Sequence, residues 1–286
     1  MSTNHKSAAG MRQDFLEEYS AESNIRRYMT KTAGHGIRYL LEHDYGDIYL
    51  GAIERFLSRE STGRGLRILE FGCGAGMNLL HLLSLLERRG IAVDYALGTD
   101  FSPALVESAK AEARDFLAPQ LMDKVQFCVA RNEALIADIT HELSLPIESQ
   151  AGSFDLIFGV NTIRYCHRLK NEQDCADGVY QLLAEGGVCI SIDMNSGFPA
   201  FRSRFRNLMT KPDESSYLPS LDEYARPFAA AGLEVLRKEN FCWIPHSAGH
   251  SLTTAMRLLT PLLNGLVRRH AMRSLVISRK SSKPAN

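Results

Sequence analysis

Net charge is the first thing this sequence lacks: 33 lysines and arginines stand against 33 aspartates and glutamates in 286 residues. A formal charge of zero removes the whole-surface electrostatic case for a nucleic-acid or anionic-membrane binder. No apolar run approaches the ~20 residues that span a bilayer. Met1 to Gly10 hold no apolar stretch of the signal-peptide kind, so a cytoplasmic protein with no membrane span is expected. Cysteine is sparse, and Cys73, Cys128, Cys166, Cys175, Cys189 and Cys242 form no C-x-x-C pair. That argues against a zinc or disulfide framework and for small buried apolar residues in a reduced interior. No internal repeat is visible. Hydrophobic residues are plentiful, 45% of the chain, ample for a buried core.

Three glycines in five residues mark the stretch on which the rest depends. Arg67 to Leu80 reads R-I-L-E-F-G-C-G-A-G-M-N-L-L. A short apolar strand through Ile68, Leu69 and Phe71 enters Gly72, Gly74 and Gly76, and a helix from about Met77 carries a run of leucines. Strand, glycine turn and helix in that order open a nucleotide-binding βαβ unit. Without a Cβ the chain can turn sharply and a ligand can lie against it. The helix N-terminus then offers free N–H groups. A dinucleotide fingerprint, G-x-G-x-x-G, would need a third glycine where Met77 stands. The spacing here is E-x-G-x-G-x-G from Glu70, and it resembles the first motif of the class I S-adenosylmethionine-dependent methyltransferases. The resemblance implies S-adenosyl-L-methionine as cofactor, its amino-acid end near Glu70, Gly72, Gly74 and Gly76.

The remaining elements follow in the order such a sheet needs. Asp94 to Asp100 reads as a second strand ending in an acid, and Ser102-Pro103 caps and starts a helix. A carboxylate at that strand end has two oxygens for the two ribose hydroxyls, although capping the next helix is the simpler role for Asp100. Phe101 can pack on the adenine. Val125 to Ala130 is a third strand. The family commonly places an Asp after it, where this chain has Arg131-Asn132; Asn132 can hydrogen-bond the adenine instead. Phe154 to Val160 is an almost wholly apolar fourth strand, Val188 to Met194 a fifth, Glu234 to Ile244 a sixth and Leu275 to Lys280 the last. The expected fold is α/β: a Rossmann-like doubly wound seven-stranded sheet with its last strand antiparallel beside the fifth, plus an N-terminal helical cap. Residues 1–10 are expected as a disordered tail, 11–60 as the cap and 61–286 as the cofactor-binding domain. Insertions are expected at 195–220 and 245–274, the second helical but broken by Pro261 and Gly265.

Ligands of an open α/β sheet lie beyond the carboxyl ends of its strands. Asn161 to His167 therefore becomes the expected acceptor loop, with Asn161 beside the cofactor. Methyl transfer from a sulfonium is an in-line displacement that asks chiefly for positioning and exclusion of water. A hydroxyl acceptor also asks for a base. His167 is the candidate base, Arg164 a candidate for a substrate carboxylate and Tyr165 a pocket wall. Each can instead be an ordinary packing or capping residue. Tyr19 and Tyr28 in the cap are expected to close over the cofactor, or else to be core aromatics.

Asp193 and Asn195 resemble part of the magnesium site of catechol-type methyltransferases, but Asn161 stands where that site wants a further acid, so no metal is expected. His246 and His250 have no acid or cysteine close by for zinc. The alternating Arg202, Arg204 and Arg206, and the six bases within 264–283, read as solvated faces. The leading expectation is a methyltransferase acting on an oxygen or nitrogen of a small molecule, with a homodimer left open and nucleic acid not favoured. The rivals are a protein or RNA methyltransferase, and a non-methylating cofactor-binding protein on the same fold.

Overall fold

The computed structural model describes residues 8–27, 29–57, 64–202 and 218–281. Seven strands form one sheet: β1 (Leu66–Phe71), β2 (Val93–Asp100), β3 (Val125–Val129), β4 (Phe154–Val160), β5 (Leu183–Met194), β6 (Glu234–Phe241) and β7 (Arg273–Arg279), in the order β3-β2-β1-β4-β5-β7-β6. The first five run parallel, and β7 is antiparallel to both β5 and β6. Strand order reverses between β1 and β4, so their carboxyl ends flank an open crevice. β4 is buried along almost its whole length, as a strand covered on both faces must be.

Two apolar layers sandwich the sheet. One holds α4 (Tyr45–Phe56), α5 (Met77–Arg88) and α6 (Pro103–Phe116); the other holds the helices Leu135–Leu143, Glu172–Leu182 and Leu221–Ala230. The expected cap divides in two. α4 belongs to the core, its Tyr49 ring 4.9 Å from that of Phe158 on β4. α1 (Ala8–Ser20), which begins inside the tail expected to be disordered, lies over the glycine turn instead. Its Phe15 and Tyr19 form a separate apolar cluster with Ala75 and Leu105. α2 (Glu22–Arg27) follows it, and the segment between α2 and α3 (His35–Tyr39) is pinned by the Lys31 backbone N–H, which donates to Glu112 on α6 at 3.0 Å.

Other boundaries moved for identifiable reasons. β5 starts at Leu183, because the Gly186 turn (φ 77°) is absorbed as an irregularity in its pairing with β4. His250–Val267 is one helix despite Pro261. Both Pro261 and Arg257, whose carbonyl loses its helical partner, are exposed, so water can take the orphaned acceptor. Among the described residues no helix is long and apolar enough to cross a membrane. Tyr28, Arg204, Arg206, most of the linker and the last five residues lie outside the described residues.

Candidate active site

Gly72 and Gly74 both have positive φ, at 65° and 57°, and both line a cavity of about 1010 Å³ beyond the ends of β1 and β4. At Gly72 an added Cβ would lie 2.1 Å from the Thr162 side chain, so glycine is required there twice, by conformation and by space. Gly76 (φ 84°) starts α5 and packs behind the turn, where a Cβ would crowd Ala109 and Phe127 at 3.2 Å; it does not line the cavity. Nor does Glu70. Its carboxylate is fully buried and accepts from the Leu79 backbone N–H at 3.0 Å and from Asn78 Nδ2 at 3.1 Å. Burial holds that carboxyl well above the ordinary range, against those two donors. Glu70 thus braces the turn and helix from beneath.

Asp100 ends β2 facing the same cavity. Its Oδ2 accepts from Gly74 N–H at 2.9 Å and its Oδ1 from Ser102 N–H at 3.0 Å. With the Phe101 N–H also directed at it, the carboxylate still keeps acceptor capacity for a further donor, such as a hydroxyl. Burial pushes this carboxyl up to about 6, although backbone donors pull the other way. The helix-capping role weighed for Asp100 belongs to Ser102, whose Oγ accepts from Leu105 N–H. Phe101 and Asn132 line the cavity too. The roof is α1: Phe15 and Tyr19 line it, with Tyr19 edge-on to Phe101 at 5.9 Å and its hydroxyl against that of Tyr165.

The opposite end is built differently. Asn161 leaves β4 in the left-handed region (φ 60°). Arg164, Tyr165, Cys166 and Leu169 of the following helix, Ile163–Leu169, face the cavity. His167 does not line the cavity, and its Nδ1 is 3.1 Å from Glu172. Although only one helical turn from Arg164, the imidazole expected as the base turns to Glu172 and not into the cavity. Arg164 is buried; its Nη2 donates to Tyr165 Oη at 2.8 Å, and its Nε stands 3.8 Å from Asp193. Asp193 accepts backbone N–H groups of Arg164 and Met194, and burial raises its carboxyl while Arg164 lowers it. Asn195 is structural, donating to the carbonyls of Arg269 and Ala271.

The cavity also takes in Arg273 and Tyr45, which had no role in the sequence reading, and His246, weighed there only as a zinc ligand. Arg273 opens β7 opposite Met194 of β5 and donates from Nη1 to Asn161 Oδ1 and from Nη2 to His246 Nε2, each at 2.7 Å. His246 is held neutral by burial and by the positive charges of Arg273 and Arg164. Its segment is fixed by Gly36, whose N–H donates to Ala248 O at 2.9 Å and where any Cβ would meet Pro245 O at 2.6 Å. Among the described residues no cluster of three His, Cys, Asp or Glu side chains is arranged for a metal.

A family model described as a methyltransferase domain matches residues 41–238. The chain belongs to that family. It is an S-adenosylmethionine-dependent methyltransferase, and the match begins inside the helical layer, just before α4. Among curated proteins it is 35% identical over 126 residues to the non-reducing polyketide synthase Preu3 of Preussia isomera, an alignment covering 44% of this chain and 4% of that one. The chain thus spans only a small fraction of the curated relatives it matches. Phosphoethanolamine N-methyltransferase 2 of Haemonchus contortus, solved with S-adenosyl-L-methionine, is 13% identical with a TM-score of 0.57 over 99% of this chain and 62% of that one. The CMeT domain of the citrinin polyketide synthase is 16% identical, TM-score 0.54, over 98% and 61%. At these identities the solved structures show a shared fold.

The residues fit the cofactor. The Cβ-free surface at Gly72 and Gly74, the spare acceptor capacity of Asp100 and the apolar wall of Phe101 and Leu105 suit its backbone-hugging, hydroxyl-bearing and aromatic parts in turn. When bound, S-adenosylmethionine supplies a methyl group on a positively charged sulfur. The protein contributes position and dryness: α1 covers the cavity, and the strand ends fix its floor.

Proposed function

We propose that this methyltransferase acts on a small molecule held between α1, the helix Ile163–Leu169 and the segment Pro245–Ser247, and methylates an oxygen or nitrogen of it. One observation carries the reading: one continuous cavity, partly open to solvent, runs from Asp100 and the glycine turn to Arg164, His246 and Arg273, with α1 as a roof over it. A protein or RNA acceptor would call for an open groove. Asp100 holds the ribose, Gly72 and Gly74 pass beneath the amino-acid end, and Asn132 and Phe101 meet the adenine. Tyr19 closes the roof against Tyr165. A nucleophile that arrives unprotonated needs no base, which suits a cavity whose imidazole is held neutral with Nε2 already bonded to Arg273.

Carbon is the second acceptor reading, favoured by the polyketide synthase relatives. A carbon acid must lose a proton, a demand that amines and ionised oxygens do not make. Incubating the protein with ¹³C-methyl-labelled cofactor and a panel of small amines, phenols, acids and β-dicarbonyl compounds separates the readings. The reading expects a labelled product whose methyl carbon resonates in the N- or O-methyl range. A C-methyl resonance supports the second reading, and labelling of protein or RNA alone would overturn both.

A further inference from the structure

The far end of the cavity concentrates hydrogen-bond donors and positive charge. Arg164 and Arg273 are 6% and 5% exposed. They come from elements more than a hundred residues apart, brought together because β7 runs antiparallel and delivers its first residue to the carboxyl end of β5. Both partners of Arg273 are neutral, a carboxamide and an imidazole. The nearest carboxylate to Arg164, that of Asp193, already accepts two backbone N–H groups. Among the described residues, the Nε–H of each arginine and the hydroxyl of the adjacent, fully buried Tyr45 have no hydrogen-bond partner. Buried donors and buried charge are costly unless met by acceptors of opposite sign. A planar guanidinium presents parallel N–H groups matched to the oxygens of a carboxylate or phosphate.

We propose that Arg164 and Arg273 form a seat for an anionic oxyacid group of the methyl acceptor, a carboxylate or a phosphate monoester, with Tyr45 as an additional donor. The seat rests on the small-molecule reading above and narrows it to acidic acceptors. The anionic group is the handle by which the acceptor is held; the atom that takes the methyl group lies elsewhere on the molecule, toward the glycine turn.

The test is calorimetry on the full chain saturated with S-adenosylhomocysteine, at constant ionic strength, with benzoate, phenyl phosphate and the neutral isostere benzamide as probes. The expected result is saturable binding of one or both anions, with benzamide at least about tenfold weaker. Preference for benzoate assigns a carboxylate and preference for phenyl phosphate a phosphate. Arg164→Gln and Arg273→Gln should each weaken the anion at least about tenfold while leaving S-adenosylhomocysteine within about threefold. Arg88→Gln, at the outer end of α5, should change neither. Arg273→Lys keeps the charge but loses the fork, and should fall between wild type and Arg273→Gln. If the Gln variants fail to fold, the benzoate–benzamide contrast in the wild type decides. Equal binding of benzoate and benzamide would overturn the seat alone. So would displacement of S-adenosylhomocysteine by the anions, because the arginines would then be holding the cofactor's own carboxylate. Failure of the wild type to bind S-adenosylhomocysteine would overturn the functional reading beneath the seat.

Discussion

The two ends of the cavity are made by opposite strategies. At the end proposed for the cofactor the chain uses what is local: the Gly72–Gly74 turn, with Asp100 on the adjacent strand closing onto Gly74 N–H. At the end proposed for the acceptor it uses what is distant: Tyr45, Arg164, His246 and Arg273, from four separate segments. The first end is mostly backbone and one carboxylate, the second mostly side chains and two guanidiniums. A backbone-built site tolerates change outside its few glycines and acids. A side-chain-built site can be retuned by single substitutions without disturbing the sheet, which suits a fold that keeps one cofactor and varies its acceptors.

Perturbing each end separately should break this symmetry unequally. The largest effect is expected at Gly72. Gly72→Ala forces a Cβ into a left-handed residue and against Thr162, and should weaken cofactor binding or stability by about 2–4 kcal/mol. Adding Thr162→Ser, which removes the clashing methyl, should recover part of that loss in calorimetry and thermal unfolding. No recovery would mean that conformation alone sets the cost.

Removing residues 8–27 should next cut turnover about 10²-fold by opening the roof, while the sheet keeps its melting cooperativity. Extending the deletion through residue 57 is a different experiment, because it removes Tyr45, Tyr49 and Ile53 from the core. Retained turnover in the shorter truncation would show that α1 is not the lid.

Asp100→Ala should cost about 1–3 kcal/mol in S-adenosylhomocysteine affinity. The wild type sharpens this through pH. Hydroxyl donors favour the ionised carboxylate, and burial leaves it titrating at about 6. Affinity should therefore be full above that pH, fall as pH drops through it toward about tenfold per pH unit, and be accompanied by proton release on binding near pH 6. In the cofactor-free protein the sign is reversed: a carboxyl raised above its unfolded value favours folding below about pH 4, and that contribution is lost as pH rises through about 6. The smallest effect is expected from His167→Ala, which touches only the exterior pair with Glu172 and should change turnover by less than about twofold.

What the sequence made legible follows the same division. The E-x-G-x-G-x-G spacing, the acid ending β2 and the order of apolar strands are short-range patterns, and each placed its element. Even there the pattern could not say that Glu70 and Gly76 face inward, because a strand end and a helix start expose only some of their positions. Along Asn161 to His167 the residue types were visible but their partners were not, so Arg164 and His167, one helical turn apart, looked equivalent although only Arg164 lines the cavity. Arg273 was hidden for a topological reason: read along the chain it is one base among several near the C-terminus, and only the antiparallel entry of β7 carries it to the end of β5. An arginine just ahead of the apolar run Leu275 to Ile277 was the available signal, and a run of neighbouring bases masked it.

A crystal structure of the protein with S-adenosylhomocysteine bound tests the central division most directly. The ribose hydroxyls should lie within hydrogen-bond distance of the free acceptor positions of Asp100, and the sulfur should face the space bounded by Arg164, His246 and Arg273. A ribose bound away from Asp100, or a sulfur turned from the arginines, would contradict the account.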